Sequence, residues 1–200
     1  TTKDSFCPIL FKSRCSDNCK KLLKKPKMNG NISEEPWNLL DDACIFSKTG
    51  IEDDSTSWKA GYYNDDLYIG IRCLQNLNKG EEHKEDSIEI RLEPVPMWPF
   101  PSFVLTPNGT GFFKEIYLSG FKQDDYPWEV SNRKVHGEWS AIVRITLTSL
   151  NIKQQERIKI NIIKTGSTNS RWVTCESLPS RLIYGEENPE EFGWLQFVDR

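Results

Sequence analysis

Residues 86–93, DSIEIRLE, alternate apolar and polar residues over the length of one full β-strand. Successive side chains of a strand point to opposite faces of a sheet, so the apolar ones are expected to face a core: Ile88, Ile90 and Leu92. The polar ones share the other face: Ser87, Glu89, Arg91 and Glu93. Two carboxylates beside a guanidinium predict a polar recognition surface. The alternative is a solvated outer face with a surface ion pair.

Short alternating runs of the same kind fill the chain from residue 58 onward, separated by Gly, Pro, Asn and Asp. They predict strands over residues 58–63, 67–74, 87–93, 102–106, 112–118, 138–147, 157–164, 171–176 and 193–198. Asn64-Asp65-Asp66 indicates a tight turn between the first two. About nine short strands with almost no helical periodicity predict an all-β sandwich or barrel.

A proline-rich insert, PVPMWPFP, occupies residues 94–101. Proline cannot donate a hydrogen bond to a strand ladder, so the insert is predicted to be a stiff extended loop. Because it follows the strand of Glu89 directly, such a loop is placed to carry Trp98 over the polar face.

The composition is that of a globular protein, since 200 residues with 37% hydrophobic and 28% charged content make one domain of ordinary size. A net charge of −3 argues against nucleic acid as the main partner. No apolar run approaches the roughly 20 residues that cross a bilayer, so we expect a soluble chain without a membrane span. The absence of an initiating Met fits a processed chain whose targeting segment has been removed.

Six cysteines are present: Cys7, Cys15, Cys19, Cys44, Cys73 and Cys175. N-glycosylation sequons occur at Asn31 and Asn108. An even cysteine count together with sequons predicts a secreted, extracellular glycoprotein with three disulfides, whose connectivity the sequence leaves open. Zinc is the alternative for cysteines, but Cys15-x-x-x-Cys19 has no His or second cysteine pair to complete a site.

Residues 1–27 differ from the rest of the chain. They hold half of the cysteines and a basic run: Lys12, Arg14, Lys20, Lys21, Lys24, Lys25 and Lys27. We interpret this segment as a disulfide-pinned N-terminal extension that lies on a domain formed by residues 28–200. A merely solvated segment is one interpretation of the basic run, and a site for anionic glycans or lipid headgroups is the other.

Catalytic motifs are not evident in the sequence. The chain has no Gly-x-Ser-x-Gly elbow, no phosphate-binding Gly loop and no His-Glu-x-x-His zinc motif. Glu89 and Glu93 would stand about 13 Å apart along a strand, beyond the roughly 5–9.5 Å of glycosidase carboxylate pairs. A binding protein is therefore favoured over a hydrolase or lyase.

Two cofactors are compatible with the residue types present. Acidic pairs at predicted turns could hold calcium: Asp41-Asp42, Asp53-Asp54, Asp65-Asp66 and Asp124-Asp125. Met97 and His136 could ligate a non-covalent haem as an axial pair. Turn-forming acids, a packing Met and a surface His explain the same residues more simply, so calcium remains a candidate and no cofactor is assigned.

Aromatic residues near predicted loops indicate a further kind of ligand. Sugar rings present apolar C–H faces and hydroxyl rims, so a carbohydrate site combines an exposed aromatic ring with fixed carboxylates, amides or guanidinium groups. Tyr126-Pro127-Trp128 and Met97-Trp98-Pro99 both suit such a ring platform, and either could equally be a structural lid.

Several segments resemble, in family order, the family 9 carbohydrate-binding modules and the DOMON-like sandwiches around them. They are MNGNISEEPWN at residues 28–38, NDDLYIGI at 64–71, EDSIEI at 85–90, GEW at 137–139 and FGWL at 192–195. The resemblance runs from about residue 28 to residue 198. It implies a two-sheet antiparallel β-sandwich of jelly-roll-like type.

The resemblance also implies a ligand, because the family typically binds saccharides on one sheet face, often with bound calcium, in secreted proteins. Glu89 falls on the family's sugar-contacting glutamate, and Asn161 lies in a strand similar to its F-N-(I/V) segment. The arginine that the family has on the strand after the glutamate is missing here, because residues 102–105 are apolar.

The family's two sugar-gripping tryptophans are also replaced, by His83 and Glu186. Trp98 and Tyr184 are therefore the stacking candidates, with His83 at the rim of the site.

Together these observations predict a secreted, non-catalytic, lectin-like module that binds a carbohydrate around Glu89 and Arg91. Three alternatives remain on the same fold. The first is an extracellular scaffold that binds other proteins through its basic N-terminal segment. The second is a haem-binding electron-transfer domain, and the third is a hydrolase or lyase.

Overall fold

A computed structural model describes residues 16–47, 52–74, 86–94, 99–117, 119–123, 125–135, 137–150, 152, 157–166, 170–171 and 192–199. Within these residues the strands are β1 (Ser16–Lys21), β2 (Ala43–Ser47), β3 (Glu52–Tyr63), β4 (Asp66–Leu74), β5 (Ser87–Glu93), β6 (Phe100–Leu105), β7 (Gly111–Tyr117), β8 (Gly120–Gln123), β9 (Trp128–Val135), β10 (Glu138–Thr146), β11 (Arg157–Thr165), β12 (Ser170–Arg171) and β13 (Gly193–Val198). Two 3-10 turns cover Trp37–Leu39 and Thr148–Leu150. No helix in this part of the chain is long and apolar enough to cross a membrane.

The strands form two layers. The first layer has the order β8-β7-β6-β5-β11, and the second has the order β3-β4-β10-β9. Along one side, two short strand pairs connect β11 of the first layer with β3 of the second. One pair is β13 with β1, near one end, and the other is β12 with β2, near the other end. The pairings are antiparallel, except that β1 runs parallel to both of its neighbours. The predicted β-sandwich is confirmed, with this one parallel strand as a departure from a purely antiparallel arrangement.

The core lies between the two layers and follows the alternation in the sequence. Ile88, Ile90 and Leu92 of β5 are fully buried, as predicted from the DSIEIRLE pattern. They belong to one cluster with side chains of the facing layer, among them Ile69 of β4 and Trp139 of β10. Burial of each large apolar side chain stabilises the fold by roughly 1.5–3 kcal/mol.

The outer face of the second layer is covered by the segment that follows β1. A second apolar cluster joins residues of this segment to β4 and β10: Leu22, Ile32, Trp37, Leu40, Tyr68 and Ile142. A Cβ at Gly70 would stand 2.9 Å from the Trp37 ring, so only glycine lets the ring pack this closely on β4. The Lys59 ammonium donates to the Trp37 carbonyl at 3.3 Å and ties the segment to β3. This outer face therefore serves packing.

The cysteine prediction is not supported. Cys19 is a free thiol in the sandwich core, and three disulfides would require all six cysteines. Cys7, Cys15 and Cys175 lie outside the described residues, and no disulfide joins the cysteines within them. Burial raises the pKa of the Cys19 thiol well above its ordinary value, so it behaves as a small apolar core residue. What holds residues 16–21 is the pairing of β1 with β13 and β3, extended by the Leu22 N–H to the Tyr62 carbonyl at 2.8 Å.

The basic run of the N-terminal segment is largely paired where it is described. Lys20 contacts Asp41 at 2.9 Å, Lys21 contacts Asp199 at 3.1 Å and Lys24 contacts Glu35 at 2.6 Å. These exposed pairs contribute little stability. They do lower the positive potential that an anionic partner would meet.

Two predictions about loops meet different outcomes. The turn at Asn64 is observed, with a left-handed φ of 54° at that residue. The proline-rich insert was predicted to be a loop as far as residue 101, but β6 begins at Phe100 and includes Pro101. The strand tolerates this proline because its pairing with β5 ends at Ser102, next to the proline.

Candidate functional site

The polar face of β5 lies on the outside of the first layer. Register places Arg91 between Asn161 of β11 and Ser102 of β6, and Ser102 opposite Lys114 of β7. Residues facing the core alternate with these positions, which fixes all four side chains on the outer face. The polar residues of β5 are thus part of a polar row that crosses four strands, β11, β5, β6 and β7.

Glu89 is the centre of a charged network on this face. Arg91 donates through Nε to Glu89 Oε1 at 3.0 Å and through Nη2 to Oε2 at 3.1 Å. Ser102 Oγ donates to Oε1 at 2.5 Å, and Lys114 Nζ lies 3.0 Å from the same oxygen. Such a bidentate arginine pair with added donors holds a carboxylate in one orientation. Oε2 receives only the Arg91 bond among the described contacts, so it keeps a lone pair for a further donor.

The electrostatics of the network favour the charged carboxylate. The Glu89 side chain is only 14% exposed, and this burial raises its pKa. The Arg91 charge and hydrogen bonds, the Ser102 hydroxyl and the Lys114 charge outweigh burial and bring the pKa of Glu89 to about 2. Glu89 is therefore a fixed anion and hydrogen-bond acceptor, not a proton donor at neutral pH.

A second ion pair lies beside the first on the same face. Lys159 Nζ of β11 contacts Glu93 Oε2 at 2.5 Å, and the Glu93 side chain is almost fully buried. Lys159 also faces the ring of Trp194 at 5.6 Å, and the Arg157 guanidinium stacks on the same ring at 4.2 Å. The β11 side of the face is therefore rich in cations held against an aromatic ring.

An apolar cluster closes one end of the face. Phe192, just before β13, packs edge-on against Phe100 with ring centroids 5.2 Å apart, and Ile116 completes the cluster. Arg91 lies 6.0 Å from the Phe100 ring. Phe192 belongs to the FGWL motif of the sequence, and its role here is to cover the β6 and β7 strands at this end.

The opposite end of the face carries an exposed aromatic ring. Phe112 of β7 is 41% exposed and lies opposite Val104, which in turn lies opposite Glu89. Phe121 of β8 is exposed as well, but its partner Ile116 places it at the end of the Phe100 cluster, where Lys114 Nζ lies 5.5 Å from its ring. Beside Phe112 there is an open cleft of about 480 Å³. Its walls include Gln123, Asp125 and Trp128.

The structure brings together some of the predicted site residues. Glu89, Arg91 and Asn161 occupy neighbouring positions on one face, with Asn161 buried opposite Arg91. Trp98, Tyr184 and His83 lie outside the described residues, so their part in the site stays a prediction. The haem candidates Met97 and His136 lie outside them as well.

Three residues at the site were missed from the sequence: Ser102, Lys114 and Phe112. Each is next in sequence to a core residue, Phe103 or Phe113. The alternation of inward and outward positions along a strand could therefore have placed these three residues on the outer face. The apolar look of residues 102–105 hid the Ser102 hydroxyl. The family resemblance led us to expect an arginine on the strand after the glutamate. In the structure a different cation contacts Glu89, namely Lys114 from β7, two strands away.

The other candidates have local roles. Tyr126 stacks on Phe113 at 4.9 Å and donates to the Thr146 carbonyl at 2.9 Å, and Trp128 packs on Phe103 at 5.3 Å. Both rings therefore close the core at one end. Asp41-Asp42 and Asp65-Asp66 contact neighbouring Lys or Thr side chains. No cluster of three metal-ligating groups occurs among the described residues.

The two sequons differ in their surroundings. The Asn31 side chain donates to Glu34 at 2.7 Å and accepts from the Ser33 N–H at 3.1 Å. Asn108 lies exposed in the turn between β6 and β7. Glycosylation of both residues stays a prediction.

Comparisons with known proteins bear on the fold. No protein-family model and no curated protein matches the sequence. A candidate carbohydrate-binding protein from Bacteroides uniformis matches in structure with a TM-score of 0.64 and 13% identity, over 93% of this chain and 100% of its own.

Two structures from Caldicellulosiruptor kristjanssonii are also similar. A family 9 carbohydrate-binding module in complex with cellotriose matches with a TM-score of 0.59 and 12% identity, over 93% of this chain and 95% of its own. A second structure, of a module of this family in complex with glucose, matches with a TM-score of 0.58 and 11% identity, over 92% of this chain and 97% of its own. The fold class is thus that of the family 9 carbohydrate-binding modules, as the sequence resemblance led us to expect.

Proposed function

We propose that this chain is a secreted, non-catalytic carbohydrate-binding module whose saccharide site is the outer face of the first layer, centred on Glu89. The observation that carries the proposal is a carboxylate held charged and oriented on an outer sheet face of this fold. Structural neighbours with the same fold hold cellotriose and glucose.

Each part of the network has a task in this proposal. Glu89 Oε2 accepts a hydrogen bond from a sugar hydroxyl, while Arg91 and Ser102 hold the carboxylate in place. A prepositioned acceptor loses little side-chain entropy when the sugar binds. Asn161, His83, Trp98 and Tyr184 are proposed as further contacts, and calcium as an accessory ion.

A non-catalytic role agrees with the chemistry of the two acids on this face of β5, Glu89 and Glu93. A glycosidase needs one carboxylic acid that keeps its proton near neutral pH, and Glu89 has a pKa of about 2. Glu93 is held by the ammonium of Lys159. We therefore propose binding without turnover.

The test is a glycan array probed with the wild-type protein and with Glu89→Gln. The substitution keeps the shape but removes the charge, so we expect at least several-fold weaker binding. Glu129→Gln is the matched control, because Glu129 is also ion-paired, to Arg144 at 2.7 Å, but lies in the second layer. It should bind as the wild type does.

Equal binding by wild type and Glu89→Gln would show that the saccharide site does not lie on this face. No binding by the wild type would reject the saccharide function and favour the extracellular scaffold.

A further inference from the structure

The row of outer-face residues that contains Glu89 continues to an exposed aromatic ring. Glu89 pairs with Val104, and Val104 pairs with Phe112. Adjacent strands are about 4.8 Å apart, so Phe112 lies roughly 10 Å from Glu89 across the sheet. Among the described residues, the short Val104 side chain stands between them in this row.

Phe112 belongs to none of the apolar clusters that the described residues form. Its neighbour Phe113 points inward and packs against Phe103 and Tyr126, whereas Phe112 remains 41% exposed on the outer face. The cleft of about 480 Å³ lies beside it, with an amide at Gln123 and a carboxylate at Asp125 in its walls. An exposed ring with polar groups beside it is the arrangement that fits the apolar face and the hydroxyl rim of a sugar.

We propose that Phe112 forms a second sugar subsite, so that the ligand is an oligosaccharide of at least two residues that runs across the strands from Glu89 toward the cleft. This inference rests on the proposed function and adds the length and direction of the ligand. One ring binds at Glu89, and the next stacks on Phe112. Gln123 and Asp125 meet the hydroxyls of the ring that stacks on Phe112.

The experiment compares glucose and cellotriose as probes by titration calorimetry. Wild type is expected to bind cellotriose more tightly than glucose. Phe112→Ala should weaken cellotriose binding by roughly three- to tenfold and leave glucose binding unchanged, because only the longer sugar reaches the ring. Phe112→Tyr keeps the ring and should keep the preference.

Tyr117→Ala is the matched control. Tyr117 is an exposed aromatic residue of the same strand, but it lies on the opposite face, where it donates to Glu115 at 2.8 Å. Removal of the Tyr117 ring should change neither the affinity for glucose nor the affinity for cellotriose. Thermal unfolding of each variant checks that the fold is intact, which is expected because both side chains are exposed.

The outcomes separate the inference from the function on which it rests. If Glu89→Gln weakens both sugars while Phe112→Ala changes neither, the second subsite is rejected and the proposed function stands. Equal affinities of wild type for glucose and cellotriose also reject the subsite. If wild type binds neither sugar and the glycan array is blank, both proposals fail.

Discussion

At the scale of single residues, the notable feature is a carboxylate that stays charged although it is mostly buried. Burial of an ion costs several kcal/mol unless opposite charges and donors compensate. Around Glu89 the compensation comes from Arg91, Ser102 and Lys114, which belong to three different strands. Removal of any one partner would take away a charge or a hydrogen bond that offsets the burial of Glu89, so the network is expected to tolerate changes poorly.

This charge balance predicts a pH dependence of stability. The folded-state pKa of Glu89, about 2, lies below its ordinary value of 4.5, so the unfolded chain takes up the proton first. The stabilisation is complete above the ordinary value and is lost as the pH falls toward 2. It amounts to roughly 2–4 kcal/mol between pH 6 and pH 2.

Urea unfolding of wild type and Glu89→Gln over this pH range checks the prediction. The wild-type curve should fall more steeply than that of the variant as acid is added. Parallel curves would show that Glu89 keeps an ordinary pKa.

At the scale of elements, the N-terminal segment is held by strand pairing and packing. β1 completes one of the two connections between the layers, and Leu22 then fills the space above Gly61, where a Cβ would come within 2.6 Å of it. The segment that follows covers the outer face of the second layer through Trp37 and its neighbours. One outer face is thus occupied by packing, and the charged network lies on the other.

Two adjacent leucines provide a matched test of this docking. Leu22 is 6% exposed and Leu23 is 72% exposed. Leu22→Ala should lower the free energy of unfolding by about 2–5 kcal/mol, because it leaves a cavity in the second cluster. Leu23→Ala should change it by less than about 0.5 kcal/mol, as exposed sites usually do.

Chemical denaturation under reducing conditions measures both values, so that no covalent link contributes. Similar small effects of the two changes would mean that the segment is not packed on the second layer in solution.

At the scale of the whole molecule, one core unites both layers. The main cluster contains residues of β5 and β6 from the first layer and of β4 and β10 from the second, and it includes Cys19 of β1. Neither layer can lose its partner without exposing this shared surface to water. The sandwich should therefore behave as a single cooperative unit.

We expect a single unfolding transition on heating, with coincident curves from tryptophan fluorescence and far-ultraviolet circular dichroism. Trp58 and Trp139 report on the shared core, and Trp37 reports on the covered outer face of the second layer. A separate early transition in fluorescence alone would show that the N-terminal segment detaches before the layers part.

The strand bounds and core-facing residues predicted from the sequence were most accurate where apolar and polar residues alternate regularly. β5 and β13 have the bounds expected from the pattern, and the stripe of β10 faces the core as expected. β8 was missed because all four of its residues are exposed, which leaves no alternation to detect. β1 was missed because SDNCKK places one apolar residue among polar ones, and its strand state depends on distant partners.

The sequence by itself determined which side of β5 faces the core, because a period of two assigns every side chain of a strand to one face. It also determined the all-β class. Only the tertiary structure decided what surrounds Glu89, since Ser102 and Lys114 come from strands whose register no local pattern fixes. It likewise decided that Cys19 is a core residue and that Phe112 extends the outer face, because burial depends on contacts between segments far apart in the chain.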